Sequence, residues 1–227
     1  MKTPLIIVNF KCYEESTGKN GLKLAKICES VSKEYKIEIA VAPQFTDICS
    51  ISKEINIPIL SQHLDPIKPG AFTGHVSALA LKQAGAVGTL INHSERKLAL
   101  DKIRECIQTA KSYGLITVCC SADVNESKEI AKFNPDFIAY EPPELIGTGI
   151  SVSQTKPEVV EKTVNVIKKI NPNIKVLCGA GITKGDDVKK ALELGTVGVI
   201  LSSGVVKAIN PKKFLIDFAE SVNKNIE

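Results

Sequence analysis

Three side chains able to move protons or carry compensating charge stand where apolar runs of the sequence stop. Lys11 follows the run at residues 5–10, His93 follows residues 87–92, and Glu141 closes residues 137–141. Glu141 is followed by Pro142-Pro143, an apolar tip at Leu145-Ile146 and the turn Gly147-Thr148-Gly149. A carboxylate at a buried strand end, next to a segment stiff at one side and glycine-rich at the other, reads as a general base beside a hinged lid. Glu144 is a second carboxylate and belongs to the lid rather than to the chemistry. His93 precedes Ser94-Glu95-Arg96, which reads as a helix start whose positive end disfavours imidazolium and leaves a neutral ring able to donate a hydrogen bond. Asn9 and Lys11 are two residues apart at the close of the first run, so a strand would present both on one face. Each has a plainer reading: a strand exit for Lys11, a helix-start histidine for His93, a solvated acid for Glu141. His63 and His75 read as structural or surface residues. Cys178-Gly179-Ala180-Gly181 and Leu201-Ser202-Ser203-Gly204 close the last two runs, and small residues there suit a cradle of backbone N–H groups for phosphate.

Such residues need a frame that gathers strand ends. Apolar, β-branched runs occupy residues 5–10, 37–42, 57–60, 87–92, 115–121, 137–141, 174–178 and 197–202. Segments of helical period follow them, as at 101–113, 156–170 and 186–194. Runs without polar alternation suit strands covered on both faces, as in parallel sheets with helical crossovers. Eight such units over 227 residues leave about 28 residues each, slightly below a barrel of ~250 residues. The expectation is a compact (β/α)8 barrel, a single domain over residues 1–227, with its site at the C-terminal strand ends. An open doubly wound sheet is the alternative, but neither Gly147-Thr148-Gly149 nor Gly179-Ala180-Gly181 continues into a dinucleotide fingerprint.

Composition removes several classes of function. The chain is 44% hydrophobic and 24% charged, enough to build a core and unlike a disordered chain. Its net charge of +4 comes from dispersed basic residues, which argues against a nucleic-acid footprint. No apolar run reaches the ~18 residues of a membrane span, and the opening run is too short for a signal peptide. A cytoplasmic protein without membrane contact is expected. Seven cysteines without a Cys-x-x-Cys pair read as small buried hydrophobes in a reducing compartment rather than as disulfides or a metal site.

Taken in order, Asn9-Phe10-Lys11, Gly70-Ala71-Phe72-Thr73-Gly74, Asn92-His93-Ser94-Glu95-Arg96, Tyr140-Glu141-Pro142, Gly147-Thr148-Gly149, Gly181 and Ser203-Gly204 resemble the motifs of the triosephosphate isomerase family, in its shorter archaeal form. That resemblance implies interconversion of dihydroxyacetone phosphate and glyceraldehyde 3-phosphate. Glu141 would act as base, a neutral His93 as electrophile, Lys11 as electrostatic stabiliser and Asn9 as a further hydrogen-bond donor, the proton-transfer and lid-closure pattern already known for that family. It further implies substrate contacts from Asn9, Phe10, Lys11, Ile146, Gly147, Gly181, Ser202 and Ser203. No metal or cofactor is implied, and a homo-oligomer is, a tetramer built from dimers. Lys97 stands where the family commonly has a second arginine, and the segment from His75 onward departs from the usual Gly-Glu continuation, which bears on subunit contacts. Two other phosphate-sugar barrels stay open from the residues themselves: a metal-dependent epimerase, which wants several His and Asp ligands, and a Schiff-base aldolase, which wants a buried lysine. A catalytically silent scaffold is the third alternative.

Overall fold

The computed structural model describes residues 1–223. Residues 224–227, at the end of the expected single domain, lie outside the described residues. Eight parallel strands, β1 Leu5–Asn9, β2 Glu38–Ala42, β3 Leu60–Ser61, β4 Gly88–Ile91, β5 Ile116–Ser121, β6 Phe137–Tyr140, β7 Lys175–Cys178 and β8 Gly198–Leu201, run in the order β2-β1-β8-β7-β6-β5-β4-β3. The ring closes between β2 and β3 through a single bridge, Val41 to Ile59, and the Val41 N–H donating to Pro58 O. The expected (β/α)8 barrel is the observed one. The third strand is shorter than residues 57–60 suggest and begins where that run ends, because only Leu60 and Ser61 pair with β4.

Around it lie α1 Lys19–Tyr35, α2 Phe45–Ser52, α3 Ala78–Gln83, α4 Leu100–Ser112, α5 Val124–Ala131, α6 Val152–Thr155, α7 Pro157–Ile170, α8 Gly185–Glu193, α9 Ser203–Val206 and α10 Pro211–Asn223. In α7, Val160, Thr163, Val164 and Ile167 form the buried stripe at three- and four-residue spacing. Pro157 opens that helix and Lys168 and Lys169 sit in its last turn, where fixed φ and the helix dipole favour them. Expected helix bounds at 101–113, 156–170 and 186–194 hold to within a residue at either end.

Strand alternation divides the interior into two layers. Leu5, Ile7, Leu60, Leu90, Val118, Phe137, Leu177 and Ile200 fill the barrel, whereas Ile6, Val8, Ile39, Val41, Ile138 and Val199 face the helices. Each large apolar side chain buried in this way contributes ~1.5–3 kcal/mol. The surface ion pairs contribute ~0–1 kcal/mol each, so packing rather than charge holds the barrel. Cys119 joins the outer layer and Cys120 the inner one, as adjacent strand residues must. The expectation that all seven cysteines are buried needs correction. All are free thiols, but Cys12 and Cys49 are exposed, since Cys12 lies in the loop after β1 and Cys49 on the outward side of α2. No described helix is long and apolar enough to cross a membrane.

Candidate active site

The inner face of the barrel ends in polar groups. Leu5 and Ile7 point inward on β1, and the same parity carries Asn9 to the rim. Phe137 and Ala139 do this for Glu141, whose N–H extends the ladder by donating to Ser121 O at 2.8 Å. Leu177 leads to Gly179 and Ile200 to Ser202 by the same period of two. Asn9, Glu141 and Ser202 meet at a cavity of about 280 Å³ at the C-terminal ends of the strands.

Glu141 is buried, and its Oε2 makes no hydrogen bond. Gly179 leaves it room, because a Cβ at that position would lie 2.7 Å from Glu141 Cγ. Below it is the Cys120 thiol; burial first, and then the Glu141 charge, push that thiol well above its ordinary pKa. It therefore stays protonated, adding no second negative charge to the floor of the site.

Lys11 and His93 arrive by another route. β1 stops at Asn9, and Lys11 adopts a left-handed backbone with φ 49°, so strand spacing does not place it. Its N–H donates to Asn9 Oδ1 at 3.0 Å, its carbonyl accepts from Gln62 Nε2 at 2.9 Å, and its Nζ donates to Glu95 Oε1 at 2.7 Å. At β4, parity would turn Asn92 inward, but Asn92 takes φ 63° and His93 lines the cavity instead. The expected helix start after His93 is a single 3-10 turn, Ser94–Arg96, and α4 begins only at Leu100. Within that turn the Glu95 N–H donates to His93 Nδ1 at 3.2 Å, which leaves Nε2 as the ring N–H.

The far wall is made of backbone. Residues 142–149 hold a 3-10 turn, Pro143–Leu145, and then Gly147 and Gly149 at φ 76° and 75°. Ile146 and Gly147 reach the cavity. Gly181, at φ 71°, packs so closely that a Cβ there would stand 1.8 Å from Ile150 O. Ser202 precedes α9, and its buried Oγ has no hydrogen-bond partner. Ser203 and Gly204 complete this side.

Nine of the ten residues singled out in the sequence therefore line one cavity: Asn9, Lys11, His93, Glu141, Ile146, Gly147, Gly181, Ser202 and Ser203. Phe10 is the correction. Alternation turns it away from Asn9 into the layer under the helices, and its N–H is committed to Ala42 O. Gly204, read as part of the phosphate cradle, does line the cavity, whereas sequence reasoning passed over Thr183 in the lining and Glu95 as the partner of Lys11. No hydrophobic period marks them. His63 is buried on Asp65, and His75 makes an edge contact with the exposed Phe72 in the loop bearing the 70–74 motif. Glu144 is exposed and paired with Lys156 at 2.7 Å. Among the described residues, no three His, Cys, Asp or Glu stand close enough to hold a metal ion, so the donor set an epimerase needs is missing from this mouth.

Comparison with known proteins decides the family. The family model described as triosephosphate isomerase matches residues 4–222. The chain belongs to the triosephosphate isomerase family. It is 53% identical to the triosephosphate isomerase of Methanobacterium bryantii over 97% of this chain and 98% of that one. It is 56% identical to that of Methanocaldococcus jannaschii over 91% and 94%. The crystal structure of triosephosphate isomerase from Bartonella henselae superimposes with a TM-score of 0.77 over 99% of both chains at 20% identity, a likeness of fold. As a member of the triosephosphate isomerase family the chain is an enzyme, an isomerase, and the cavity at the strand ends is where that family fold builds its site.

Proposed function

We propose that the chain interconverts dihydroxyacetone phosphate and D-glyceraldehyde 3-phosphate through an enediolate. The observation carrying this reading is the convergence, in one cavity, of a buried carboxylate with an unpartnered oxygen, an imidazole whose Nδ1 accepts the Glu95 N–H, and an ammonium. Glu141 takes the proton from the carbon beside the carbonyl, and the C–H electron pair becomes the C–C double bond of the enediolate as the carbonyl electrons move onto oxygen. His93 Nε2–H donates to that oxygen as its charge grows, then passes a proton between the two enediolate oxygens. Return of the proton from Glu141 to the neighbouring carbon completes the isomerisation. Lys11 supplies positive charge on the same side and Asn9 a further amide, donors fixed in place before the charge develops.

The phosphate rests on backbone and hydroxyl groups of Gly147, Gly181, Ser202 and Ser203, with Ile146 covering it. A small-residue wall with a buried, unpartnered Ser202 hydroxyl supports that assignment. Residues 142–149 close over the site, excluding water and strengthening each interaction inside. The scheme uses no metal and no cofactor. We place the enzyme in the cytoplasm as a homo-oligomer, a tetramer built from dimers, and treat residues 1–227 as one functional domain. A coupled assay on purified protein, following each triose phosphate as substrate, tests the reading. Turnover in both directions that survives chelators and borohydride is expected. Loss of activity on chelation with recovery on adding zinc or iron, or borohydride trapping of a substrate adduct, would overturn it.

A further inference from the structure

His93 and Lys11 both depend on a turn that the strand does not dictate, and the turn is held at both ends by one side chain. Asn92, at φ 63°, reverses the direction set by β4. Its Nδ2 donates to Cys120 O at 2.9 Å on the neighbouring strand and to Glu126 Oε1 at 2.9 Å on α5. Its Oδ1 accepts the Leu98 N–H at 2.9 Å, six residues on. Both amide hydrogens and one acceptor position of a buried side chain are therefore spent on closing residues 92–98 into a loop and pinning that loop to β5 and α5. Inside the loop lie His93, with Arg96 N–H donating to its carbonyl at 2.7 Å, and Glu95, which holds Lys11 Nζ.

Glu126 is the anchor on the other side. Its Oε2 accepts the Ala122 N–H at 2.6 Å, and its Oε1 receives both Asn92 and Lys97. Lys97, where the sequence departs from the family's common arginine, thus bonds back to the anchor of its own loop. We infer that Asn92, fixed by Glu126 and Lys97, is the positioning residue that sets the pose of His93 and, through Glu95, of Lys11. This inference rests on the reading of His93 and Lys11 given above. A histidine on a free turn would lose the Glu95 N–H at Nδ1, and with it the ring form that presents Nε2–H to the substrate. A misplacement of about 1 Å in such a group costs on the order of 10²-fold in rate.

The test compares Asn92→Gly, Asn92→Asp, Glu126→Gln and the double variant Asn92→Asp/Glu126→Gln with His93→Gln in the purified full-length enzyme. Readouts are kcat and KM for a triose phosphate and the ring ¹⁵N shifts of His93. Asn92→Gly keeps the left-handed turn without its staple; kcat should fall about 10- to 100-fold with KM little changed, and the Nδ1 and Nε2 shifts should move toward each other. Asn92→Asp should be worse, because it sets a carboxylate against Glu126. The double variant restores an acceptor-donor pair and should regain about tenfold over Asn92→Asp. Wild-type kcat and unchanged ¹⁵N shifts in Asn92→Gly, or a double variant no better than Asn92→Asp, would overturn the inference. If Asn92→Asp does not fold, Glu126→Gln decides by the same two readouts. Retained turnover in His93→Gln would instead sink the assigned role of His93, while the ¹⁵N shifts would still report whether the staple orients the ring.

Discussion

Two parts of the cavity wall are built differently. At the ends of β1, β4 and β6, functional groups are tied across long stretches of chain: Lys11 to Glu95 and Gln62, Asn92 to Cys120 and Glu126, Glu141 to Ser121. In the loop that leaves β6, the hydrogen bonds of residues 142–150 close within the segment, from Leu145 on Pro142 to Ile150 on Thr148. The ion pair between Glu144 and Lys156, two exposed side chains, reaches beyond it. Long-range bonds of buried groups such as Asn92 and Glu141 are lost only when much of the barrel opens, whereas local bonds at the surface open at little cost. The first part can hold catalytic groups in place before substrate arrives; the second can move without disturbing them.

The comparison breaks if the fixed part proves dispensable. Glu141→Gln keeps the size of the side chain and removes its basicity. We expect kcat to fall ~10²–10⁴-fold, about 3–5 kcal/mol of barrier, with KM and the thermal melt close to wild type; near-normal turnover by coupled assay would take Glu141 out of the role. Lys11→Met comes next. Removing a preorganised positive donor should lower kcat/KM by ~10²–10³-fold, with a lower kcat and a higher KM, because in the proposed scheme the charge would serve the bound phosphate as well as the developing enediolate. A change confined to stability would make Lys11 a structural strand exit.

For the loop after β6 the sharper test is product distribution. Replacing residues 144–148 by a short glycine bridge should leave the barrel folded, slow isomerisation about 10²-fold through lost positioning, and raise the share of methylglyoxal as an unprotected enediolate expels phosphate. NMR of the products beside the coupled rate gives both numbers, and an unchanged pair would reduce the loop to a connection. The smallest effect belongs to the pair that tethers the loop. The hydrogen bond from Lys156 is the main cause holding the Glu144 carboxyl below its usual pKa. With the folded pKa depressed, the tether is present at neutral pH and is lost as pH falls through that lowered value. Because both groups are exposed, Glu144→Gln should change kcat/KM by less than about threefold at neutral pH, while hydrogen exchange across residues 143–150 quickens. A large loss of activity would mean the tether is part of the closed site.

Much of this architecture can be read from residue order. The barrel follows from eight apolar runs separated by segments of helical period, and the period of two carries Asn9, Glu141 and Ser202 from the inner layer to the rim without further information. The same rule explains why Phe10 belongs to the core although it stands between two rim residues. The turn at Pro143–Leu145 and the positive-φ glycines after it announce themselves in Pro142-Pro143 and Gly147-Thr148-Gly149, because prolines restrict φ and glycines relax it.

What alternation could not supply were the poses of Lys11 and His93. Each depends on a backbone at positive φ, at Lys11 itself and at Asn92, a conformation of higher energy for residues other than glycine, kept by bonds to Gln62, Glu95, Cys120 and Glu126 from distant parts of the chain. Local sequence sets which conformations are cheap. Only the assembled barrel brings together the partners that make a costly one the stable choice, and so the residue types at the strand ends were legible in the sequence while the geometry that makes a site of them belongs to the tertiary structure.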